Sequence, residues 1–180
     1  MKFNETMLPG VFIIELEPII DERGFFARAW CHNEAIAHGL QVNFVQNNVS
    51  YNIRKGTIRG LHQQISPFEE TKLVRCIRGG IYDVVLDLRP ESPAYKKWLG
   101  VELSAEKRNA IYIPPGMAHG YQTLTDNAEV FYQVSQVYAP NYERGIRWND
   151  PAFGIEWPLQ PTVISEKDRS YRLFADDMLS

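Results

Sequence analysis

Cysteine is scarce in this sequence, which has only Cys31 and Cys76 among 180 residues. The two are far apart and form no CxxC pair, so the pattern excludes a disulfide framework. The N-terminal residues, MKFNETMLPG, lack the apolar segment of a signal peptide, and no run is long enough to span a bilayer. We therefore expect a cytoplasmic protein with two buried, reduced thiols and no contact with membranes.

An excess of charge is also missing. The net charge is −3 and the isoelectric point about 5.8, which argues against a nucleic-acid partner or an acidic membrane surface. A local basic patch could still hold a small anion. The length and the 44% hydrophobic content predict one domain, residues 1–180, that buries roughly two-thirds of its unfolded surface.

The motifs of several large enzyme classes are absent. There is no HxH pair, no GxSxG, no P-loop and no GxGxxG, which argues against a metal centre, nucleophilic hydrolysis, nucleotide triphosphate hydrolysis and dinucleotide redox chemistry. Of the four histidines, His62 lies in IRGLHQQ and His119 in PPGMAHGY, both within apolar surroundings. Such histidines are either core residues whose ring nitrogens are hydrogen-bonded or acid–base groups in a pocket.

Short runs rich in β-branched and aromatic residues predict an antiparallel sandwich or barrel. Gly79-Gly80 predicts a tight hairpin between two of them. The one predicted helix is Asn33–His38, with Asn33 as N-cap and Gly39 as the stop signal. The predicted strands are Val11–Leu16, Lys72–Arg78, Ile81–Leu88, Trp98–Leu103, Ala110–Ile113, Gly120–Leu124 and Glu129–Tyr138.

Several of these runs carry polar residues between apolar ones, among them Lys72, Asp83, Gln122 and Tyr132. One explanation is a strand side that faces solvent. The other is a barrel whose interior forms a polar ligand pocket. Both explanations are compatible with the pattern.

A series of ordered segments runs along nearly the whole chain, including PGVFIIE, DERGFF, FVQNNVS, IRGLHQQ, KLVRCIRG, YDVVLDLR, IYIPPGMAHGYQTL, VFYQVSQVYAP, ERGIRWNDPAFGIEWP and ISEKD. Through these segments, from about Pro9 to Asp168, the chain resembles dTDP-4-dehydrorhamnose 3,5-epimerase and related sugar-nucleotide epimerases. This resemblance implies a cupin-type antiparallel β-barrel (jelly roll) with a few short helices, and a homodimer in which an N-terminal strand crosses to the partner. It also implies a nucleoside-diphosphate 4-keto-6-deoxyhexose as substrate, with no metal and no redox cofactor.

The resemblance assigns four catalytic positions. His62 matches the general base that removes a proton next to the C4 ketone, and Asp168 matches its carboxylate partner. Lys72 matches the cation near the C4 oxygen, where negative charge develops. Tyr132 matches the acid that returns a proton from the opposite face.

The same resemblance assigns substrate contacts. Arg59, Gln46 and Asn48 match residues that line the sugar and phosphate region, and Arg23 matches a diphosphate-binding arginine. His119 and Tyr138 match residues that position the sugar or the phosphates.

Three positions depart from the pattern of the rhamnose-pathway enzymes. Arg28 replaces a glutamate associated with thymine, which suggests either a cytidine diphosphate substrate or an Arg28 turned to solvent with thymine stacked on Phe26. Gln63 and Gln133 replace a tyrosine and a lysine, which suggests a different sugar or epimerisation at C3 alone. The competing functions are a 3,4-ketoisomerase and a non-catalytic sugar-nucleotide-binding barrel.

Overall fold

Strands dominate the computed structural model, which describes residues 1–41 and 43–174. Its helices are α1 (His32–Ala37), α2 (Glu166–Ser170) and a short 3₁₀ turn (Pro140–Tyr142). The early strands are β1 (Lys2–Glu5), β2 (Phe12–Glu15), β3 (Ile19–Asp21), β4 (Gly24–Phe26), β5 (Gln46–Asn52), β6 (Thr57–Gln64) and β7 (Lys72–Arg78). The later ones are β8 (Gly80–Asp87), β9 (Trp98–Ser104), β10 (Ala110–Ile113), β11 (Met117–Thr123), β12 (Ala128–Val134), β13 (Glu143–Gly145) and β14 (Val163–Ile164).

The strands form two large sheets and one separate hairpin. The first sheet has the order β1-β2-β10-β7-β12-β5, and the second has the order β13-β6-β11-β8-β9. Every pairing in these two orders is antiparallel, whereas β14 runs parallel beside β6. Within the described residues, strands β3 and β4 pair only with each other. The prediction of an antiparallel two-sheet architecture is therefore confirmed.

The main core lies between the two sheets. Val74 and Ile111 from the first sheet pack in one cluster with Val85 and Leu103 from the second, and all four are fully buried. Because successive side chains of a strand point to opposite faces, each strand sends alternate residues into this layer. Polar side chains of both sheets, among them His62 and Lys72, line cavities in this interior.

The predicted strands are present, and Lys72–Arg78 and Ala110–Ile113 have the predicted limits. The predicted hairpin at Gly79-Gly80 is wrong, because β7 and β8 belong to different sheets. Gly79 has a φ of 71° and makes the corner between the sheets. A β-carbon there would lie 2.1 Å from the hydroxyl of Thr125, so close packing as well as the backbone requires glycine.

The predicted helix is also present, but it begins one residue earlier than expected. Cys31 precedes α1 as its N-cap and makes no side-chain capping bond, so Asn33 lies inside the helix and is not the cap. Gly39 follows the C-terminus of α1 with a φ of 71°, as the predicted stop signal requires.

Of the two cysteines, which were both expected to be buried, Cys76 is buried and Cys31 is half-buried. No helix within residues 1–41 and 43–174 is long and apolar enough to cross a membrane.

Candidate functional site

Two adjoining cavities open in the polar part of the interior, with volumes of about 440 and 390 Å³. Four side chains line both of them, namely His62, Lys72, Tyr132 and Lys167. They come from β6, β7, β12 and α2, so both sheets and the C-terminal segment contribute. The first cavity also contains Arg59, His119, Tyr121 and Asp168, and the second also contains Gln46, Asn48, Tyr138 and Glu143.

His62 and Asp168 form a hydrogen-bonded pair on the wall of the first cavity. The Nε2 atom of His62 lies 2.7 Å from Oδ1 of Asp168. The other carboxylate oxygen accepts the backbone N–H of Gly60 at 3.3 Å. Ser165 caps α2 by accepting the N–H of Asp168 at 3.0 Å, so the capped helix holds this carboxylate in place.

The pKa of Asp168 reflects two opposed effects. Burial by itself raises the pKa of this carboxyl, but the hydrogen bond and charge of His62, with the Gly60 N–H, outweigh it. The net pKa of Asp168 is below its ordinary value, so the group is a carboxylate at neutral pH. An imidazole bonded to a carboxylate through one nitrogen has a defined orientation and can exchange a proton through the other.

Lys72 and Tyr132 lie on neighbouring strands of the opposite sheet. Lys72 is buried at the start of β7, where its Nζ contacts Oε1 of Glu70 at 2.9 Å. Burial raises the pKa of the Tyr132 hydroxyl, and the nearby Tyr121 and Glu70 raise it further. This hydroxyl is therefore protonated at neutral pH and can donate a proton, while the ammonium can stabilise negative charge.

His119 lies directly across from His62 in the β6–β11 ladder. Its Nε2 is 2.9 Å from Oδ2 of Asp83, a carboxylate that is completely buried. The other oxygen of Asp83 has no hydrogen-bond partner in the described part of the chain. The imidazole of His119 is thus tied to the core while it lines the first cavity.

A further polar network supports the floor of the first cavity. Arg59 donates from Nε to Oδ1 of Asn52 at 2.7 Å, and the Asn52 amide donates to the Tyr121 hydroxyl at 3.2 Å. Ser50 bonds that same hydroxyl at 2.9 Å. The sequence predicted Arg59 but missed Ser50 and Tyr121. Both lie in segments that carry the family resemblance, FVQNNVS and AHGYQTL, which was the available signal.

Gln46, Asn48 and Tyr138 meet in the second cavity, as the sequence predicted. The Gln46 amide donates to Oδ1 of Asn48 at 3.0 Å and accepts the backbone N–H of Tyr138 at 3.3 Å. The sequence missed Glu143, which accepts bonds from Tyr138 and Lys167, each at 2.5 Å. Lys167 was missed as well. Glu143 lies in the segment ERGIRWNDPAFGIEWP and Lys167 in ISEKD, and both segments carry the family resemblance.

Three predicted contacts lie elsewhere on this chain. The side chains of Arg23 and Arg28 are 82% and 62% exposed and pair with Asp21 and Glu34. Phe26, at the end of β4, is 71% exposed. Within the described residues, none of the three lines either cavity.

The two glutamine departures differ in position. Gln63 is buried and lines the second cavity. Gln133 follows the inward-facing Tyr132 on β12 and therefore points to the other face of the sheet. Gln133 lines neither cavity in the described structure.

No group of three or more histidine, cysteine, aspartate or glutamate side chains is placed to hold a metal ion within residues 1–41 and 43–174. Ionisable groups of the cavities instead form close pairs, with His62 beside Asp168 and Lys72 beside Glu70. Such pairs suit proton transfer and charge stabilisation.

A family model described as dTDP-4-dehydrorhamnose 3,5-epimerase matches residues 5–176. The chain belongs to this family. Enzymes with the same name from Methanothermobacter thermautotrophicus and Shigella flexneri are 48% and 43% identical, covering 95% and 98% of this chain and 93% and 97% of theirs. A relative from Streptomyces niveus, 35% identical over 98% of this chain and 85% of its own, is named dTDP-4-dehydrorhamnose 3-epimerase.

Solved structures of the family superimpose closely. The epimerase of Bacillus anthracis, crystallised with TDP and pyrophosphate, has a TM-score of 0.92 and 39% identity, covering 96% of this chain and 99% of its own. The Legionella pneumophila enzyme, in complex with dTDP-4-keto-L-rhamnose, has a TM-score of 0.91 and 36% identity, covering 99% and 96%. The predicted cupin-like β fold is therefore confirmed.

Proposed function

We propose that this protein is an isomerase that inverts carbon centres of a nucleoside-diphosphate 4-keto-6-deoxyhexose. The observation that carries the proposal is the placement of the His62–Asp168 pair and of Tyr132 and Lys72 around one cavity. Epimerisation next to a ketone requires a base, an acid on the other side of the ring and a positive group near the carbonyl oxygen. The four side chains provide one group for each requirement and one carboxylate to orient the base.

The reaction proceeds by removal and return of a proton. His62 takes the proton from the carbon beside the C4 ketone, and the electrons of that C–H bond move to the ketone oxygen. The resulting enolate is stabilised by the Lys72 ammonium, in a cavity where burial strengthens the attraction. Tyr132 then gives its proton to the opposite face of the carbon, and the carbonyl reforms with inverted configuration.

The remaining cavity residues bind the substrate. We assign Arg59 to the diphosphate, because a guanidinium makes paired bonds to phosphate oxygens. Gln46, Asn48 and Tyr138 border the second cavity, where they would contact the sugar and phosphates. His119, held by Asp83, positions the sugar in the first cavity.

The active form is proposed to be a homodimer in which Arg23 and Phe26 serve the partner's cavity and Arg28 lies at its border. Two exposed apolar regions support this arrangement. Ile20 in the hairpin is 79% exposed, and Ile53 beside the edge strand β5 is 68% exposed. Apolar surface of this kind is typical of an interface with a second copy.

The proposed nucleotide is dTDP, since the relatives described above carry it in their names. The Arg28 guanidinium donates to Glu34 at 2.6 Å, so its charge is already engaged and thymine would stack on Phe26. The alternative, a cytidine diphosphate substrate, follows from the donors of Arg28. Turnover of the two nucleotide sugars side by side distinguishes them, and a strong preference for CDP would overturn the dTDP assignment.

Both C3 and C5 are proposed to invert. The relatives that are 43% and 48% identical are named 3,5-epimerases, whereas the relative named for C3 alone is 35% identical. The retained base His62 can serve both carbons when the ring presents each in turn. Cytoplasmic location and a single domain over residues 1–180 complete the proposal and rest on the sequence arguments.

The decisive experiment is deuterium uptake from heavy water with dTDP-linked and CDP-linked 4-keto-6-deoxyglucose side by side. Mass spectrometry counts the exchanged carbon positions and NMR locates them. We expect uptake and inversion at C3 and C5. Uptake at C3 alone would make the enzyme a monoepimerase, a shifted carbonyl would make it a 3,4-ketoisomerase, and no uptake with either nucleotide would favour a binding barrel.

A further inference from the structure

Strand β13 carries a gap beside the His62 imidazole. Gly145 is the direct cross-strand partner of His62, and Glu143 is the partner of Gln64. Paired residues of an antiparallel ladder project to the same face and normally contact each other. Because Gly145 has no side chain, the position on this strand directly opposite His62 presents no side chain to the imidazole.

Tyr171 fills that gap from another part of the chain. A β-carbon on Gly145 would lie only 2.0 Å from Cζ of Tyr171, so the phenol ring lies flat over this glycine. The same ring contacts His62 edge to face, with centroids 5.9 Å apart and planes at 76°. This is the geometry of a favourable aromatic pair.

The hydroxyl of Tyr171 makes a second contact, donating to Oε1 of Glu143 at 3.2 Å. That carboxylate also accepts bonds from Lys167 and Tyr138 at the border of the second cavity. Burial first, and then the charges of Glu143 and Asp168, raise the pKa of Tyr171. The hydroxyl therefore stays protonated and acts as a donor.

We propose that Tyr171 is a positioning residue, which acts on the reaction through His62 and Glu143 without touching the substrate. Its ring restricts the imidazole on the side that Gly145 leaves open, and its hydroxyl holds the carboxylate that places Lys167 and Tyr138. The inference rests on the proposed epimerase function for its kinetic consequences. The placement of Tyr171 against Gly145, His62 and Glu143 does not depend on that function.

The position of Tyr171 in the chain explains how one segment can do both tasks. Asp168 and Tyr171 are three residues apart, on α2 and at its C-terminal cap. Asp168 holds the imidazole through Nε2, and Tyr171 contacts the ring. The C-terminal segment therefore holds His62 through two independent contacts.

Two substitutions separate the ring from the hydroxyl. Tyr171→Phe keeps the ring and removes one of three donors to Glu143, so KM should rise about three- to tenfold with kcat within about twofold. Tyr171→Ala removes the ring as well, and kcat should then fall about tenfold or more, because a mispositioned base loses much of its effect. Tyr112→Phe is the matched control, since its hydroxyl accepts the Gln41 N–H and Tyr112 lines neither of the two cavities. Its kinetics should not change.

Gly145→Ala tests the same contact from the other strand. The added methyl should displace the Tyr171 ring and lower kcat as Tyr171→Ala does. In the double variant Gly145→Ala/Tyr171→Ala the methyl has room, so its stability should recover relative to Gly145→Ala alone. If the two substitutions are simply additive, the ring does not occupy this gap and the proposal fails.

An NMR measurement keeps the inference separate from the proposed function. The ring protons of His62 lie beside an aromatic ring, so Tyr171→Ala should shift their resonances far more than Tyr112→Phe does. If these resonances do not move, or if kcat of an active enzyme is unchanged in Tyr171→Ala, the positioning role is wrong. A wild-type enzyme that shows no deuterium uptake while the His62 resonances shift would instead contradict the epimerase function and leave the contact intact.

Discussion

His62 depends on a residue 106 positions further along the chain, because Asp168 supplies the hydrogen bond that orients its imidazole. The two meet where β6 passes beneath α2. Across the cavity, Lys72 and Tyr132 come from the other sheet. The residues proposed to carry out the reaction therefore lie on different strands, so the role of each can be tested by a separate substitution.

Replacing His62 by asparagine should lower kcat by about two to four orders of magnitude, as expected for loss of a general base. The measurement is deuterium exchange and product formation with the 4-keto sugar nucleotide. His32→Asn is the matched control, because His32 is exposed at the start of α1. An active His62→Asn enzyme would rule out this histidine as the base.

Tyr132→Phe should separate proton removal from inversion. The base remains, so deuterium should still enter the substrate, but the opposite face has no acid and epimerised product should fall at least tenfold relative to exchange. NMR of the recovered sugar distinguishes the two. Equal losses of exchange and inversion would contradict the proposed division of roles.

Asp168 should stabilise the fold in a pH-dependent way. Its folded pKa lies below the unfolded value, so the stabilisation is present above about pH 4 and is lost as the pH falls through the folded pKa. Urea unfolding between pH 3 and 6 should therefore show a smaller loss of stability toward acid in Asp168→Asn than in the native protein. Asp21→Asn, which breaks an exposed pair with Arg23, should change this slope little. Equal slopes in Asp168→Asn and the native protein would contradict the prediction.

The position of a strand depends on the turn that leads into it as well as on the strands with which it pairs. The run from Lys72 to Asp87 passes from the first sheet to the second at Gly79, so that Lys72 and Asp83 contribute to one interior from opposite sides. A two-residue hairpin, which the Gly-Gly pair suggested, would have put these strands side by side. Local sequence cannot distinguish the two cases, because both need glycine at a positive φ.

Gly79→Ala should destabilise the protein more than Gly39→Ala. Both glycines have a φ of 71°, so the backbone strain is matched. Only at Gly79 would the added methyl collide with Thr125, whereas at Gly39 it meets nothing within 4 Å. We expect about 1 kcal/mol of strain in both variants and a further loss at Gly79, measured by urea unfolding. Equal losses would show that Thr125 moves aside freely.

Three predicted substrate contacts, Arg23, Phe26 and Arg28, do not line the cavities of their own subunit in the described structure. Arg23 and Phe26 lie on a hairpin that pairs with no other strand of the chain's described part. A second copy would bring this hairpin to a cavity and cover its apolar side chains. The proposal predicts that the complete substrate site exists only in the dimer.

Mixing two defective variants tests this arrangement. His62→Asn removes the base from one subunit, and Arg23→Ala removes the predicted diphosphate contact from the other. If the hairpin serves the partner, a heterodimer contains one site with both residues intact, and coexpressed variants should exceed the summed activity of each alone. No gain in a confirmed heterodimer would place Arg23 at its own subunit's site or outside any site.

Sequence by itself determined the strand runs, because apolar alternation is a local property, and it determined the family, because the matching segments can be read directly along the chain. The family resemblance, and not the local pattern, named nine residues that line the cavities, among them His62, Lys72, Tyr132 and Asp168. Only the tertiary structure decided which polar strand residues face inward, as it excluded Gln133 from the cavity and brought Glu143 and Lys167 into it. It alone revealed Tyr171 over Gly145, since a contact between distant segments depends on how the two sheets and the C-terminal segment pack, and no local pattern records that packing.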